Sequence, residues 1–251
     1  MDLSPEQTHG SQPVPRMLLK LSGEALGGPT GVGIDATVLQ RTAVDVAEVA
    51  ASGTDVAVVV GGGNLVRGAE LEAAGLDRIT GDHMGMLATV MNALAFRDAL
   101  VAAGRAARVL AAHAIPSIAA GYSIEAARAS LAAGEIVVLA GGTGNPLFTT
   151  DTAACLRAIE VGAQAVVKAT KVDGVYSADP EEDRRAQRLP ELTYREVLDR
   201  RLRVMDLTAI TLCEEHGLPV VVCDLAEPGA LTRVARGDKV GTRIHAGRFG
   251  A

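Results

Sequence analysis

The stretch MLLKLSG, residues 17–23, decides the fold class, because a short apolar run ends directly in a serine–glycine turn. The same order of an apolar run followed by glycines recurs in VAVVVGGG, residues 56–63, and in IVVLAGGTG, residues 136–144. Strands that are apolar on both faces are typical of a parallel sheet that is covered on both sides. Further short apolar runs predict strands at residues 108–111, 165–168 and 220–223.

Apolar residues at helical spacing lie between these runs. Residues 35–51 predict a helix that Asp35 caps, and residues 82–103 predict a long helix with Asp82 as its candidate cap. Shorter helices are predicted at residues 152–160 and 206–216. Strands that alternate with helices predict an α/β fold, a three-layer αβα sandwich around a mainly parallel central sheet. Ligands of such sheets bind at the carboxyl ends of the strands, where the glycines lie.

Composition excludes several classes of function. The 251 residues are 48% hydrophobic and carry a formal net charge of −6, which argues against a nucleic-acid coat. Three Phe, three Tyr and no Trp offer few stacking platforms for bases. The three cysteines are widely spaced and fit reduced thiols, and no apolar run reaches the length of a membrane span. We therefore expect a cytoplasmic protein that binds neither nucleic acid nor membranes.

The chain divides into three parts by composition. Residues 1–15 are polar and rich in Pro and Gly, which predicts a flexible leader. Residues 16–244 carry the strand and helix patterns and predict one folded domain, with a soft division near residues 140–150. Residues 245–251 predict a short tail.

The glycine-bearing loops favour a phosphate site. Glycine lets backbone N–H groups approach phosphate oxygens, and a following helix adds partial positive charge. A single glycine loop is more often only the end of a strand, but three such loops at one edge of the sheet favour a functional role. The chain contains neither GxxxxGK[ST] nor GxGxxG, so the loops belong to another phosphate-binding fold.

Four charged residues near these loops are candidates for chemistry. Lys20 interrupts an apolar strand; an edge-strand lysine is the alternative, but its neighbours favour a functional ammonium. Arg67 and Lys168 would add positive charge at the same edge, although Arg67 alone could be a solvated loop residue. Asp151 begins a predicted helix, where an acidic residue also simply complements the helix dipole.

The segment KVDGVY, residues 171–176, has two interpretations that can hold together. Asp173-Gly174 is typical of a hairpin turn, and the segment could also form a pocket wall. His83 and His113 have no metal-ligand partners at helical spacing and the cysteines form no CxxC, so we predict no metal site made by protein side chains.

Taken in order, these segments resemble the bacterial uridylate kinases of the amino-acid-kinase superfamily, from about Arg16 to Thr242. The most specific segments are residues 18–26, Gly61-Gly62-Gly63-Asn64 with Arg67-Gly68, residues 81–92, residues 142–151 and residues 168–176. Asp82-His83-Met84-Gly85-Met86-Leu87 and the Thr143-Gly144-Asn145-Pro146 loop select the branch that acts on UMP. The resemblance implies the amino-acid-kinase fold and transfer of the ATP γ-phosphoryl group to UMP, giving UDP and ADP in pyrimidine nucleotide biosynthesis.

The resemblance also implies a role for each segment, with UMP on the N-lobe and ATP on the C-lobe. Residues implied to bind ATP are Lys20, Leu21, Ser22, Gly23, Gly63, Arg67, Thr170, Tyr176 and Asp179. Residues implied to bind UMP are Gly62, Asp82, Thr143, Gly144, Asn145, Pro146, Leu147, Phe148, Thr149 and Thr150. Together with the charge pattern, it indicates the catalytic residues Lys20, Arg67, Asp151 and Lys168.

These roles suit the chemistry of phosphoryl transfer, in which catalysis is mostly alignment and charge stabilisation. Lys20 would counter charge on the γ-phosphoryl group, and Asp151 would position Lys20 rather than act as a base. Asp82 would accept hydrogen bonds from the ribose hydroxyls, and Thr143 and Asn145 would read the uracil edge. Mg²⁺ would arrive with ATP. The resemblance further implies a homohexamer and GTP and UTP as effectors.

Two alternatives stay open at the level of sequence. The acceptor could be an amino-acid carboxylate or carbamate, as in the aspartate, glutamate and acetylglutamate kinases; an Asp82 carboxylate would repel such an acceptor and suit ribose hydroxyls. The chain could also be a nucleotide-binding regulator without turnover, against which the intact Lys20, Arg67 and Asp151 count.

Overall fold

The computed structural model describes residues 13–178, 183 and 185–247. The strands are β1 (Arg16–Leu21), β2 (Asp55–Val60), β3 (Ala107–Ala111), β4 (Ala120–Gly121), β5 (Ile136–Ala140), β6 (Ala165–Thr170), β7 (Val175–Tyr176), β8 (Arg188–Leu189), β9 (Glu191–Thr193), β10 (Val220–Asp224) and β11 (Thr242–His245). The helices are α1 (Gly23–Leu26), α2 (Ala36–Ala51), α3 (Gly68–Ala73), α4 (Arg78–Ala102), α5 (Ile124–Ala132), α6 (Thr150–Val161), α7 (Tyr194–Asp199), α8 (Leu207–Glu215) and α9 (Ala230–Ala235). A 3₁₀ turn, Gly28–Thr30, follows α1.

Nine of these strands form one sheet, in the order β4-β3-β5-β2-β1-β6-β10-β11-β9. Seven neighbouring pairs are parallel, and β10 with β11 is antiparallel. The prediction of a mainly parallel sheet is confirmed, and β1, the first strand of the chain, lies at its centre between β2 and β6.

Helices cover both faces of the sheet. Successive residues of β1 point to opposite faces, so Leu19 packs in a core with α2, α4 and α9, while Leu18 packs in a core with α5, α6 and α8. Both leucines are fully buried, and each contributes on the order of 2 kcal/mol. The predicted three-layer αβα sandwich is therefore confirmed.

The long helix starts earlier than the sequence predicts. Asp77 caps α4, because its carboxylate accepts a hydrogen bond of 3.0 Å from the N–H of Thr80. Gly81 lies inside the continuous helix and does not interrupt it. It packs against Gly68. The prediction that Asp82 is the cap is wrong: Asp82 lies one turn inside the helix.

The predicted hairpin turn at Asp173-Gly174 is also wrong. β7 pairs with β8 (Arg188–Leu189), well beyond that dipeptide. The preceding strand β6 already pairs with β1 and β10, so it has no free edge for β7. Gly174 is needed for another reason, since a Cβ there would lie 2.6 Å from the hydroxyl oxygen of Thr242.

By length and composition alone, α4 passes the test for a helix that could cross a membrane. Core helices of soluble proteins pass the same test, and the α4 residues Phe96 and Leu100 are fully buried in the core.

The predicted leader and tail fall partly outside the described residues, which exclude 1–12 and 248–251. Val14 donates a backbone hydrogen bond of 2.8 Å to Ala235, and Pro15 accepts one of 2.8 Å from Asp55. The division of the remaining domain into an N-lobe and a C-lobe stays a prediction.

Candidate active site

Two lysines and one aspartate form a buried cluster at the centre of the sheet. Lys20 of β1 and Lys168 of β6 are paired in register, so their side chains leave the same face of neighbouring strands. Asp151, in the first turn of α6, lies between them, with Oδ1 at 2.9 Å from Lys20 Nζ and Oδ2 at 2.7 Å from Lys168 Nζ. Their side chains are only 9%, 13% and 18% exposed for Lys20, Asp151 and Lys168. The alternative of an edge-strand lysine is wrong, because β1 is central.

The charges and the burial of this cluster shift the pKa values of Asp151 and Lys168. Burial would raise the pKa of Asp151, but the ammonium groups of Lys20 and Lys168 outweigh it and hold the pKa below its ordinary value. Burial lowers the pKa of Lys168, and Asp151 only partly offsets it. Lys168 also donates to the carbonyl of Val204. The carboxylate therefore stays ionised and fixes two like charges side by side.

The start of α6 is anchored to the start of α8. Thr149 caps α6, since its hydroxyl oxygen accepts from the N–H of Asp151 at 3.0 Å. The hydroxyls of Thr149 and Thr152 both donate to Asp206, which in turn caps α8. Sequence reasoning placed Asp206 at the start of a helix but gave it no part in the site. An Asp before an apolar helical run was the signal, and its second contact to α6 is visible only in three dimensions.

A cavity of about 660 Å³ lies beside the cluster, within the usual size range of a small-molecule site. Its lining is Asp151, Lys168, Val197, Leu198, Arg201, Leu202, Arg203, Val204, Met205, Asp206, Leu207 and Ile210. Apolar side chains dominate, and the polar groups gather near Lys168. Sequence reasoning missed the loop from Arg201 to Met205, because it carries no glycine signature.

The first two glycine loops touch each other, and only glycine fits where they do. A Cβ on Gly61 would lie 2.7 Å from the nitrogen of Gly23, and a Cβ on Gly23 would lie 2.6 Å from the nitrogen of Gly63. A Cβ on Gly62 would lie 2.7 Å from the carbonyl oxygen of Gly85 in α4. The glycines are thus required by the close approach of the two loops to each other and to α4.

Arg67 lies at the rim of these loops rather than in the lysine cluster. Its guanidinium pairs with Glu24 at 3.0 Å and with Glu70 at 3.5 Å, and its Nε–H donates to the carbonyl of Gly63 at 3.2 Å. The side chain is 43% exposed, so these ion pairs add little stability. Solvent-screened contacts of this kind hold Arg67 only weakly at the rim.

A second cavity, of about 140 Å³, lies between the glycine loop of β2, α4 and the loop before α6. Its lining is Gly62, Gly63, Val66, Gly68, Gly81, Asp82, Gly85, Met86, Thr89, Gly142, Thr143, Asn145, Phe148 and Thr150. Most of the side chains that the sequence assigns to UMP come together here. Thr150 lines this cavity and Asp151 lines the larger one, so the first turn of α6 lies between the two.

Asp82 links α4 to the loop of residues 143–149. Its Oδ2 accepts from the N–H of Leu147 at 2.8 Å, and its Oδ1 accepts from Arg78 at 3.0 Å. Leu147 has φ of 72°, a left-handed conformation that costs leucine about 1 kcal/mol. Leu147 is 65% exposed and Phe148 52% exposed. His113, to which the sequence gave no role, contacts the carbonyl of Gly144 through Nε2 at 2.8 Å.

The predicted adenosine-binding residues lie apart from both cavities. Thr170 ends β6 and its hydroxyl oxygen accepts from the N–H of Val172 at 2.9 Å. Tyr176 lies in β7 and donates to Asp173 at 2.6 Å. Neither residue is in the lining of either cavity. Asp179 lies outside the described residues.

Among the residues that the structure describes, no group of three or more His, Cys, Asp or Glu side chains is arranged to hold a metal ion. The carboxylate of Asp151 is already engaged by two ammonium groups.

The chain was compared with known proteins. Residues 15–224 match the Amino acid kinase family. A uridylate kinase of Ectopseudomonas mendocina (strain ymp) is 56% identical over 240 residues, covering 95% of this chain and 97% of the relative. A uridylate kinase of Pseudomonas putida is 53% identical over 244 residues, covering 97% and 99%. The crystal structure of UMP kinase from Bacillus anthracis has a TM-score of 0.91 at 35% identity, covering 94% of this chain and 98% of that one.

Proposed function

The chain belongs to the amino acid kinase family, and from that premise we propose that it transfers the γ-phosphoryl group of ATP to UMP, giving UDP and ADP. This is a step of pyrimidine nucleotide biosynthesis. The observation that carries the proposal is the arrangement of two cavities on either side of the first turn of α6, beside the Lys20–Asp151–Lys168 cluster.

The smaller cavity is the proposed UMP site. Its rim carries Asp82, whose carboxylate suits the two ribose hydroxyls and would repel an anionic amino-acid acceptor. Thr143 and Asn145 line it with groups that can donate to and accept from the uracil edge. At about 140 Å³ it is smaller than most nucleotide sites, which measure roughly 300–1,000 Å³. We propose that the ribose hydroxyls replace the N–H of Leu147 on Asp82 and that the loop of residues 143–149 moves outward.

The larger cavity is the proposed site of ATP. Its apolar lining suits a base, and Lys168 at its inner end suits the phosphates. The predicted contacts of Thr170 and Tyr176 with the adenosine stay part of the proposal. Because neither residue lines the cavity, these contacts require the nucleotide to extend past the cavity toward β7. Asp179 also stays part of it, as a residue outside the described ranges.

The catalytic roles follow from the charges. Lys20 and Lys168 are proposed to stabilise the negative charge of a γ-phosphoryl group that passes between the cavities, since both pair with Asp151 in the first turn of α6. Asp151 holds both ammonium groups in place, and its lowered pKa makes it a poor proton acceptor. Leu21, Ser22 and Gly23 offer backbone groups next to Lys20. Arg67 is proposed to turn from Glu24 onto the phosphates.

We propose that Mg²⁺ reaches the site with ATP and is held by phosphate oxygens and water, the usual arrangement for this ion. When bound there, it would neutralise part of the phosphate charge. The residues present fit this role, because the Asp151 carboxylate is already paired with Lys20 and Lys168 and is not required as a metal ligand.

We also propose that the chain works as a cytoplasmic homohexamer. Met84, Leu87 and Met91 form an apolar stripe along one face of α4 and are 36%, 57% and 56% exposed, which is typical of a subunit contact. The buried free thiols of the described chain fit a reducing compartment. Regulation by GTP and UTP rests on the family resemblance alone.

A panel of UMP, CMP, dTMP, aspartate and acetylglutamate with Mg-ATP tests the proposed function. ADP should form with UMP and not with the amino acids. Turnover with an amino acid but not with UMP would replace the proposal with an amino-acid kinase. Tight nucleotide binding without any turnover would instead indicate a regulator.

A further inference from the structure

A pair of buried asparagines lies directly behind the glycine loop that follows β2. Asn92 is fully buried on α4, and Asn64 is 3% exposed at the end of the loop. Asn92 Nδ2 donates to Asn64 Oδ1 at 2.7 Å, and Asn64 Nδ2 donates to Asn92 Oδ1 at 3.1 Å. The remaining amide hydrogens are also used, since Asn92 Nδ2 donates to the carbonyl of Gly61 at 2.7 Å and Asn64 Nδ2 to that of Gly33 at 2.5 Å.

This pair connects the two glycine loops and α4. A Cβ on Gly23 would lie only 2.5 Å from Asn64 Oδ1, so the loop after β1 rests against the asparagine side chain. The N–H of Gly33 returns a hydrogen bond of 2.9 Å to the carbonyl of Asn64. The helix that carries Asn92 also carries Asp82. One buried polar contact therefore ties together parts of both phosphate loops and the proposed acceptor site.

The bond to Gly61 sets the direction of a neighbouring donor. In a planar trans peptide the C=O of one residue and the N–H of the next point in opposite directions. With the Gly61 carbonyl held toward α4 by Asn92, the N–H of Gly62 points the other way. Among the described residues, the N–H groups of Gly62 and Gly63 donate to no other protein group, and both glycines line the smaller cavity.

We propose that Asn92 is a positioning residue for phosphoryl transfer, which with Asn64 holds the Gly61–Gly62 peptide so that its N–H faces the phosphates. The inference rests on the proposed function, because it takes the phosphate of UMP to lie in that cavity. It deepens that function by assigning a role to a residue that touches neither nucleotide.

A purely structural role is the competing explanation. Buried amides must be paired, and an apolar pair of the same size would fill this space without buried amides, although the carbonyls of Gly61 and Gly33 would lose their donors. The two explanations differ in what happens when both asparagines become leucine, which is close to asparagine in shape. The apolar pair restores the packing, so a purely structural role predicts that kcat recovers in the double variant. The hydrogen bond to the Gly61 carbonyl stays lost, so a positioning role predicts that kcat stays low.

The experiment compares Asn92→Leu, the double variant Asn64→Leu with Asn92→Leu, and the control Val46→Ala. Val46 is buried on α2, in the same core layer as Asn92 but away from the loops. For each variant, kcat, KM for UMP and ATP, and the thermal midpoint are measured well below unfolding. We expect kcat of Asn92→Leu to fall about 30-fold with both KM values within about threefold, while Val46→Ala loses thermal stability and keeps its kcat.

The double variant decides between the explanations, and carries the comparison alone if Asn92→Leu does not fold. A thermal midpoint above that of Asn92→Leu together with a kcat still reduced at least tenfold supports the positioning role. Recovery of kcat along with the midpoint overturns it, as does a kcat of Asn92→Leu within threefold of the wild type. Failure of the wild-type chain to phosphorylate UMP in the same assay would instead overturn the proposed function.

Discussion

The lysine–aspartate cluster and the loop of residues 143–149 meet at the first turn of α6, yet they differ in burial and in backbone conformation. Lys20, Asp151 and Lys168 come from two central strands and a helix, and their side chains are at most 18% exposed. The loop instead leaves Leu147 and Phe148 more than half exposed and keeps Leu147 at positive φ. The part proposed to stabilise the transferred group is fixed in advance, whereas the part proposed to accept UMP is held by contacts that a ligand can replace.

The largest expected effect comes from removing the central ammonium. Lys20→Met should lower kcat about 10³-fold, a barrier change of about 4 kcal/mol, because the transferred phosphoryl group loses a preorganised charge. Steady-state kinetics with UMP and Mg-ATP measure this, with the exposed Lys239→Met as the matched control. A Lys20→Met enzyme with near-normal kcat would show that the cluster only stabilises the fold.

Removing the carboxylate should affect both rate and stability. Asp151→Asn leaves two buried ammonium groups without a counter-ion, so we expect kcat to fall about 10²-fold and the free energy of unfolding to drop by about 3 kcal/mol. Because the pKa of Asp151 is lowered in the folded state, its contribution to stability is present above the ordinary pKa of 3.8 and is lost as pH falls through the folded value. Urea unfolding at pH 7 and at pH 3 should therefore differ less for Asp151→Asn than for the wild type.

On the acceptor side, the effect should appear in binding rather than in chemistry. Asp82→Asn keeps the size of the side chain but removes the charge that the ribose hydroxyls and Arg78 share. We expect KM for UMP to rise about tenfold, with kcat and KM for ATP within about threefold. Asp98→Asn, an exposed change on the same helix, is the control. An unchanged KM for UMP in Asp82→Asn would remove Asp82 from the site.

The smallest effect concerns alkaline pH. The lowered pKa of Lys168 means that its ammonium loses its proton, and its positive charge, at a pH below the ordinary 10.5. The kcat of the wild type should therefore fall severalfold as pH rises through the lowered pKa of Lys168. Arginine does not titrate in this range, so Lys168→Arg should flatten the alkaline limb even if its kcat at neutral pH is lower. An identical limb in both proteins would assign it to another group.

The fold was predictable because its signals are local. Apolar runs predicted β1, β2, β3, β5, β6 and β10 of the central sheet, and they missed the short strands β4, β9 and β11. Asp35 was correctly identified as the cap of α2. Local signals also explain the two errors. Asp82 could serve as a cap by its position in the sequence, but it is Asp77 whose carboxylate accepts a hydrogen bond from the first turn of α4. Asp173-Gly174 matched a hairpin, but β6 had no free edge to form one.

The candidate site was predictable only as a set of residues. Lys20 was identified because it interrupts a buried strand, and the UMP-binding residues were carried over from the family resemblance. Nothing in the sequence indicates that Lys20 is in register with Lys168, that Asp206 links two helices, or that Asn64 meets Asn92. Each of these contacts joins residues far apart in the chain, and each depends on how strands and helices pack.

The central position of β1 has a consequence for how the chain is made. Residues 16–21 leave the ribosome before both of their partner strands; β2 soon follows, but the other partner is residues 165–170. Until then, one side of an apolar strand has no hydrogen-bonding neighbour, which is the condition under which half-built sheets associate with one another. Slow or interrupted translation between α4 and β6 should therefore yield aggregates rather than a partly active fragment.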